Sequence, residues 1–376
     1  MSPHPAYLQS KPRYEILDGL RGVAAIMVVG FHLFEAHSGG DHFIQVINHG
    51  YLAVDFFFLL SGFVIGYAYD DRWDRMGLWG FFQRRLVRLH PMVVLGSLVG
   101  GAAYYFGGGG ELFPMISSMP VGKVIFVMLV GCTLLPLPPS MDLRGWGEMH
   151  SLNGPAWSLF FEYVANVLYA AFVRRFPRWL LGLLVGVCGA ALVQFVLRNP
   201  MGDVVGGWSL DATQLRIGFT RMMFPFFAGL LLFRSGRLVR VNHAFWLCSL
   251  LVVVALAIPR LGGREHVWVN GLYEAVCIIV VFPLIVALGA GGHLHGRRSA
   301  RICDLLGQIS YPLYITHYPL IYVYTAWVVD RHLNLRQAYP VAILILFGSI
   351  ALSYVYLRFY DEPVRAWLRR RWLQGT

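Results

Sequence analysis

The segment from Leu17 to His37 carries two ionisable residues whose spacing suits chemistry inside a membrane. It is apolar and about long enough to cross a bilayer, yet Arg21 stands near its start and His32 deep within it. The helix that joins them advances roughly 16 Å and turns only about 20° beyond three full turns, so both side chains share one face. This arrangement predicts a functional site. The alternative is that Arg21 is an interfacial anchor and His32 hydrogen-bonds a neighbouring helix.

Three more charged residues fall inside apolar runs and need partners there. Asp55 lies in GYLAVDFFFLLSGF, Glu162 in AWSLFFEYVANVLY and Arg221 in LRIGFTRMMFPFFAG. An isolated charge in hydrocarbon is costly, so we expect Arg221 to pair with one of the two carboxylates. Either carboxylate is also a candidate to orient His32, and a purely structural ion pair is the alternative for both.

Two serines and a tryptophan adjoin these charges. Ser158 and Glu162 are four residues apart and share a helix face, with Trp157 beside them. Ser61 has no base placed beside it by local spacing, which favours close helix packing over a role as nucleophile. We keep all three as candidate substrate-binding residues, together with Arg221.

A further histidine, His317, lies between two tyrosines in SYPLYITHYPLI and is also a candidate for substrate binding. Pro312 and Pro319 should kink the helix that carries it.

Arginines gather in FFQRRLVRLHPM, where Arg84, Arg85 and Arg88 precede an apolar run. Arg85 and Arg88 fall on one helical turn. Guanidinium groups at the mouth of a membrane protein suit bidentate contact with phosphates. The alternative is that they only set the topology.

Composition places the chain in a membrane. Of its 376 residues 57% are hydrophobic and only 14% charged, with a mean hydropathy of +0.57. The formal net charge of +11 comes from short arginine clusters between apolar runs, and no basic, aromatic-interleaved domain suggests a nucleic-acid partner. The fold class is therefore all-α, a polytopic membrane protein surrounded by lipid.

The apolar runs number about eleven, and the arginines indicate which one does not cross. If the run at 122–138 is re-entrant or peripheral, about ten crossings remain and every arginine cluster falls on one side of the membrane. The positive-inside bias makes that side cytoplasmic, with both termini there. We expect a cytoplasmic tail at 1–14, a membrane domain at 15–364 and a basic tail at 365–376.

Other site chemistries have little support in the sequence. The five cysteines are scattered without a C-x-x-C pair, which indicates neither a disulfide framework nor a zinc site. His37, His42 and His49 lack recognised ligand spacing, so we expect no metal. The N-terminus has no apolar core before the first helix and is not a cleavable signal peptide.

The ordered motifs resemble those of the acyltransferase-3 family of bacterial integral membrane O-acyltransferases. The matching pieces are LDGLRG followed by His32, GYLAVDFFFLLSGF, FFQRRLVRLHPM, NGPAWSLFFEYVANVLY, the RMMFPFFAG run, SYPLYITHYPL and the closing DEPVR. They occur in the family's order across nearly the whole chain.

The resemblance implies transfer of an acyl group, often acetyl, from cytoplasmic acyl-CoA to a hydroxyl of a carbohydrate or similar acceptor, by a protein of the bacterial inner membrane. The essential arginine and histidine carry over to Arg21 and His32, the donor-binding loop to Arg84, Arg85 and Arg88, and the glutamate of the WSL motif to Glu162. Many members add an esterase-like domain. Because this chain stops at Thr376 without one, we expect direct transfer by the membrane domain.

A hypothesis for mechanism follows from the residues. CoA phosphates dock on the arginines, and His32 either takes the proton of an acceptor hydroxyl or carries the acyl group itself. A lipid- or protein-directed membrane acyltransferase and a non-enzymatic transporter are the alternatives; the transporter is disfavoured because no internal repeat of crossings is visible.

Overall fold

The computed structural model describes residue 11 and residues 13–107, 110–294 and 296–373. Regular structure in this part of the chain is helical throughout, without strands. Most of the predicted N-terminal tail, residues 1–10 and 12, and the last three residues of the predicted C-terminal tail lie outside the described residues.

The helices pack into one bundle, and short turns join several of them. In chain order they are α1 (Glu15–Ser38), α2 (Ala53–Tyr69), α3 (Leu78–Phe106), α4 (Val121–Gly131), α5 (Ala156–Ala171), α6 (Arg178–Arg198), α7 (Ala212–Ser235), α8 (Ala244–Ala257), α9 (Val267–Gly291), α10 (Arg297–Thr316), α11 (Tyr318–Asp330) and α12 (Leu335–Trp372). Single π-helical turns fall within α9 and α12. In the described residues seven helices are long and apolar enough to cross a membrane, namely α1, α2 with its preceding turn, α3, α6, α7, α9 and α12. The protein is an all-α polytopic membrane protein, as the sequence predicts.

The connections between helices gather at two ends of the bundle. At one end Asp70 accepts hydrogen bonds from Arg234, which also reaches the carbonyls of Arg174 and Phe176. We call this the basic end, because its loops at 70–77, 172–177 and 236–243 carry clustered arginines. At the opposite end His49 bonds the carbonyl of Ile258, so the loops at 39–49 and 258–266 meet there.

The apolar run at 122–138 does not cross. Its helix, α4, has 11 residues and is therefore only about 16 Å long, half the hydrocarbon thickness. Val124 and Val127 are its buried side chains, and both join a small cluster with Tyr104 of α3. The segment is peripheral, as the arginine pattern predicts.

The run at 305–328 breaks between its two prolines. The helix passes through Pro312, ends at Thr316 and resumes at Tyr318. Pro319 has no N–H for the carbonyl four residues earlier, that of Ile315. The side chain of Asn153 donates to this carbonyl instead, at 2.8 Å. The expected kink is thus a break at His317, stabilised by a loop residue.

Glycines allow α1 to approach α10 closely. A Cβ at Gly22 would overlap the carbonyl of Leu306, and one at Gly307 would lie 2.8 Å from Cβ of Asp18. Small residues let membrane helices pack with their backbones in contact. The face of α1 that carries Arg21 is therefore fixed against α10.

We predict that Gly22→Ala destabilises the protein, because its methyl group cannot fit without separating α1 from α10. The same change at Gly182 on α6, where nothing lies within 4 Å of the added Cβ, should be neutral or stabilising by up to about 1 kcal/mol. Thermal unfolding in detergent, followed by size-exclusion chromatography, measures both. Equal melting temperatures for the two variants would contradict the close contact.

Candidate active site

The first ionisable cluster is a histidine with its own carboxylate. Nδ1 of His32 lies 2.7 Å from Oε2 of Glu35, one helical turn further along α1. A carboxylate only accepts hydrogen bonds, so Nδ1 carries the proton and Nε2 keeps its lone pair. The side chains remain 17% and 29% exposed although they lie within the bundle. An imidazole oriented in this way can act as a general base.

A second imidazole lies against the first. The ring of His317 stacks on that of His32 with centroids 5.6 Å apart and planes 28° apart. Its Nδ1 is within 3.1 Å of the carbonyl of Leu313 and 2.9 Å of that of Tyr314. These acceptors fix the proton on Nδ1, and Nε2 is buried without a hydrogen-bond partner among the described residues.

Arginines lie on the same face of α1 toward the basic end. Arg21 pairs with Asp18 at 3.2 Å and keeps 20% of its side chain exposed. Arg88 lies within electrostatic range of Arg21 and Arg85, and it forms no hydrogen bond or ion pair within the ranges that the structure describes. Arg84 instead donates to the carbonyl of Gly80 at 2.9 Å. The predicted donor-binding loop is the first part of helix α3. Of its arginines, Arg88 keeps hydrogen-bonding capacity among the described residues and lies within electrostatic range of Arg21.

Glu162 occupies the middle of the bundle between two other helices. Its Oε1 accepts from Arg85 at 2.5 Å and from the hydroxyl of Ser61 at 2.7 Å. Arg85 is 3% exposed and Glu162 21%. This buried pair supplies the partner that the sequence requires for Glu162, and it ties α2, α3 and α5 together.

Asp55 is the partner of Arg221. Nη2 of Arg221 lies 2.7 Å from Oδ2 of Asp55 and 2.7 Å from the carbonyl of Tyr51. Both charged side chains are almost fully buried, at 0% and 2% exposure, and the guanidinium also lies 5.2 Å from the ring of Trp157. The pairing left open by the sequence is therefore Asp55 with Arg221. The prediction that Asp55 or Glu162 orients His32 is wrong, because the carboxylate beside its ring is that of Glu35.

The polar groups of the other candidate residues are hydrogen-bonded within the protein. The hydroxyl of Ser158 lies 2.7 Å from that of Tyr314, whose carbonyl in turn accepts from His317. His37 bonds the hydroxyl of Tyr324 and His49 bonds Asn270. In the described part of the chain no three histidine, cysteine or acidic side chains are grouped to hold a metal ion.

Sequence reasoning missed Glu35, although a signal was present. The spacing His-x-x-Glu in HLFE places a carboxylate on the histidine's own face, one turn away. It also missed Tyr318 as a contact of His32, at 4.7 Å between ring centroids. That contact requires the break between α10 and α11.

Comparisons with known proteins identify the family of the chain. A family model described as an acyltransferase domain matches residues 14–358. The chain is 38% identical over 175 residues to "Protein 2 in picA locus" of Rhizobium radiobacter, covering 44% of this chain and 86% of that protein. It is 26% identical over 331 residues to the acyltransferase MdmB of Streptomyces mycarofaciens, covering 82% of this chain and 79% of the relative.

A third relative is the O-acetyltransferase OatA of Staphylococcus aureus, 25% identical over 369 residues and 94% of this chain. The match spans 58% of that longer protein. No solved structure matches.

Apolar helices and paired charges in the core define a membrane-embedded protein. The family model covers most of the chain, so the protein belongs to the acyltransferase-3 family and is a membrane acyltransferase that resembles the O-acetyltransferases. This result excludes the transporter considered from sequence.

We predict that Asp55→Asn and Arg221→Met each destabilise the protein by about 3–5 kcal/mol, because each leaves an unpaired charge buried in the core. The matched control is Glu362→Gln, which breaks the exposed pair with Arg358 and should change stability by less than about 1 kcal/mol. Thermal unfolding in detergent compares the three variants. If Asp55→Asn unfolds no earlier than the control, the pair does not stabilise the bundle.

Proposed function

We propose that the protein is an O-acyltransferase that moves an acyl group, of acetyl size, from acyl-CoA to a hydroxyl of a carbohydrate or glycan-like acceptor. One observation carries the proposal: the His32–Glu35 pair lies on the same helix face as Arg21, with Arg88 facing Arg21. Cations for a phosphorylated donor and a base for an alcohol thus occupy one stripe.

The donor is assigned to the basic end. Acyl-CoA carries phosphates at one end and a thioester at the other, separated by a flexible arm. Arg21 and Arg88 offer guanidinium groups that suit these phosphates, and Glu162 holds Arg85 beside them at 2.5 Å. His32 lies roughly 16 Å further along the helix axis, which leaves the arm to span the distance.

The chemistry uses His32 as a general base. Its Nε2 takes the proton of the acceptor hydroxyl as the oxygen attacks the thioester carbonyl. The C–S bond then breaks, and the thiolate of CoA receives the proton from Nε2, so that the ester and free CoA leave a neutral imidazole. Glu35 is a positioning residue that holds the tautomer and stabilises the imidazolium between the two transfers.

The names of the relatives support transfer of an acyl group to an oxygen atom, and the charge distribution supports the orientation. OatA is named as an O-acetyltransferase and MdmB as an acyltransferase. Arginine-rich loops at one end favour a cytoplasmic location for that end and for both termini. The protein then lies in a bacterial inner membrane, where cytoplasmic acyl-CoA reaches the arginines directly. Transfer to a lipid or protein hydroxyl is the alternative.

We predict that His32→Ala and His32→Gln each lower turnover of labelled acetyl-CoA at least about 100-fold in purified protein, because the base is lost. Glu35→Gln should cause a smaller loss, because the imidazole remains. His293→Ala, which changes an exposed histidine at the basic end, is the control for folding and insertion. Ordinary turnover in both His32 variants would remove His32 from the chemistry.

We predict that Arg88→Met raises KM for acetyl-CoA roughly tenfold or more through loss of a phosphate contact, with little change in kcat. KM for S-acetylpantetheine, which lacks the nucleotide phosphates, should be the same in variant and wild type. Arg298→Ala, at an exposed site of the basic end, serves as control. Equal losses with both donors would show that Arg88 does not bind the phosphates.

A further inference from the structure

A second group of polar side chains lies beyond His32, on the side away from the basic end. It is formed by the long loop before α5 and by helix α11. Glu148 and Arg144 of this loop are 6% and 5% exposed. Tyr322 of α11 holds both of them. Its hydroxyl donates to Oε2 of Glu148 at 2.5 Å, and its ring centroid lies 3.6 Å from the guanidinium carbon of Arg144.

Both side chains have hydrogen-bonding capacity left over. Oε1 of Glu148 has no partner among the described residues, since the only bond of this carboxyl is the one to Oε2. Arg144 donates through Nε to the carbonyl of Ser151 at 2.9 Å, and its two terminal nitrogens meet no acceptor in the described ranges. None of these atoms is among the fully buried atoms that lack a partner in the described residues, so each keeps some accessible surface at which it can bond a ligand. Polar side chains buried to this extent usually have partners, which points to a ligand at these atoms.

The group is continuous with the active site. The ring of Tyr318 lies 4.7 Å from that of His32 and 4.6 Å from that of Tyr322, measured between centroids. The hydroxyl of Tyr318 also has no hydrogen-bond partner in the part of the chain that is described. Gly154 lies close to both groups, because a Cβ there would lie 2.7 Å from Oε1 of Glu148 and 3.0 Å from the ring of Tyr318.

The hydrogen-bonding capacity of the group suits a ligand with several hydroxyls. Burial raises the pKa of Glu148 to about 8, against the lowering effects of Tyr322 and Arg144. At neutral pH the group is therefore a carboxylic acid that donates through Oε1, because Oε2 accepts from Tyr322. Trp146, 41% exposed, lies 5.8 Å from the ring of Tyr322 and adds an aromatic surface of the kind that stacks against a sugar ring.

We propose that Glu148, Arg144 and Tyr318 form the acceptor subsite, and that they bind the hydroxyls next to the one from which His32 takes the proton. This inference rests on the proposed function and specifies its acceptor as a sugar ring that enters from the end opposite the arginines. The donor's phosphates are held at the basic end, so the two substrates approach His32 from opposite ends of the bundle.

The test separates acceptor use from donor use. Purified protein in nanodiscs is given acetyl-CoA with methyl glucoside, methyl galactoside, methyl mannoside or methyl N-acetylglucosaminide, and release of free thiol is measured with and without sugar. Glu148→Ala and Arg144→Met should raise KM of the best glycoside roughly tenfold. Both should leave KM for acetyl-CoA unchanged. Gly154→Ala, whose methyl group would crowd Oε1 of Glu148, should also raise KM of the glycoside.

The pH dependence gives a second readout that a merely structural role would not change. Glu148 faces Glu35 of α1, Tyr318 and Tyr322 of α11, and Arg144 and Asp142 of its own loop. In wild type kcat/KM for the glycoside should fall as pH rises through about 8, because the neutral acid is lost. Glu148→Gln, which cannot ionise, should remain active and lose this fall.

The outcomes distinguish the two proposals. Unchanged KM for the glycoside in Glu148→Ala and Arg144→Met, with turnover still dependent on His32, would overturn the subsite and leave the proposed function standing. Thiol release no greater than that of His32→Ala, with every glycoside and with water, would overturn the proposed function itself. An identical fall above pH 8 in wild type and Glu148→Gln would also remove Glu148 from acceptor binding.

Discussion

The close contact of α1 with α10 is the constraint on which the site depends. Gly22 faces the carbonyl of Leu306, and Gly307 faces Asp18, so the two backbones cannot slide or separate without losing this fit. The contact fixes how the charged face of α1 is rotated. It also brings the ring of His32 onto that of His317, which follows directly after α10. A rotation of one residue along either helix would separate the two imidazoles.

Most of the buried charges in the core are paired with one another. Asp55 and Arg221 neutralise each other in the core, and Glu162 neutralises Arg85. These pairs remove the desolvation cost of isolated charges and connect neighbouring helices. His32 then has its own carboxylate within one turn, while cations near the basic end keep capacity for an anionic ligand. The carboxylates that pair with arginines in the core therefore differ from the carboxylate that lies beside His32.

The loop before α5 completes the site through the broken helix. Pro319 leaves the carbonyl of Ile315 without its helical donor, and Asn153 of the loop supplies one. The same loop presents Glu148 to Tyr322. The break is thus both a backbone requirement and the reason that a polar loop lies near His32. One proline connects the imidazole pair with the residues that we assign to the acceptor.

The sequence by itself determined the class of fold and the relative placement of Arg21 and His32 on one helix. Hydropathy and arginine clusters indicated the membrane bundle and the peripheral run at 122–138, and helical periodicity placed Arg21 and His32 on one face. These inferences succeed because each depends on local composition or on one helix. Only the tertiary structure decided that Arg221 pairs with Asp55, that Arg85 pairs with Glu162, and that the polar loop reaches Tyr318. Such contacts join helices distant in sequence, and their geometry follows from how whole helices pack.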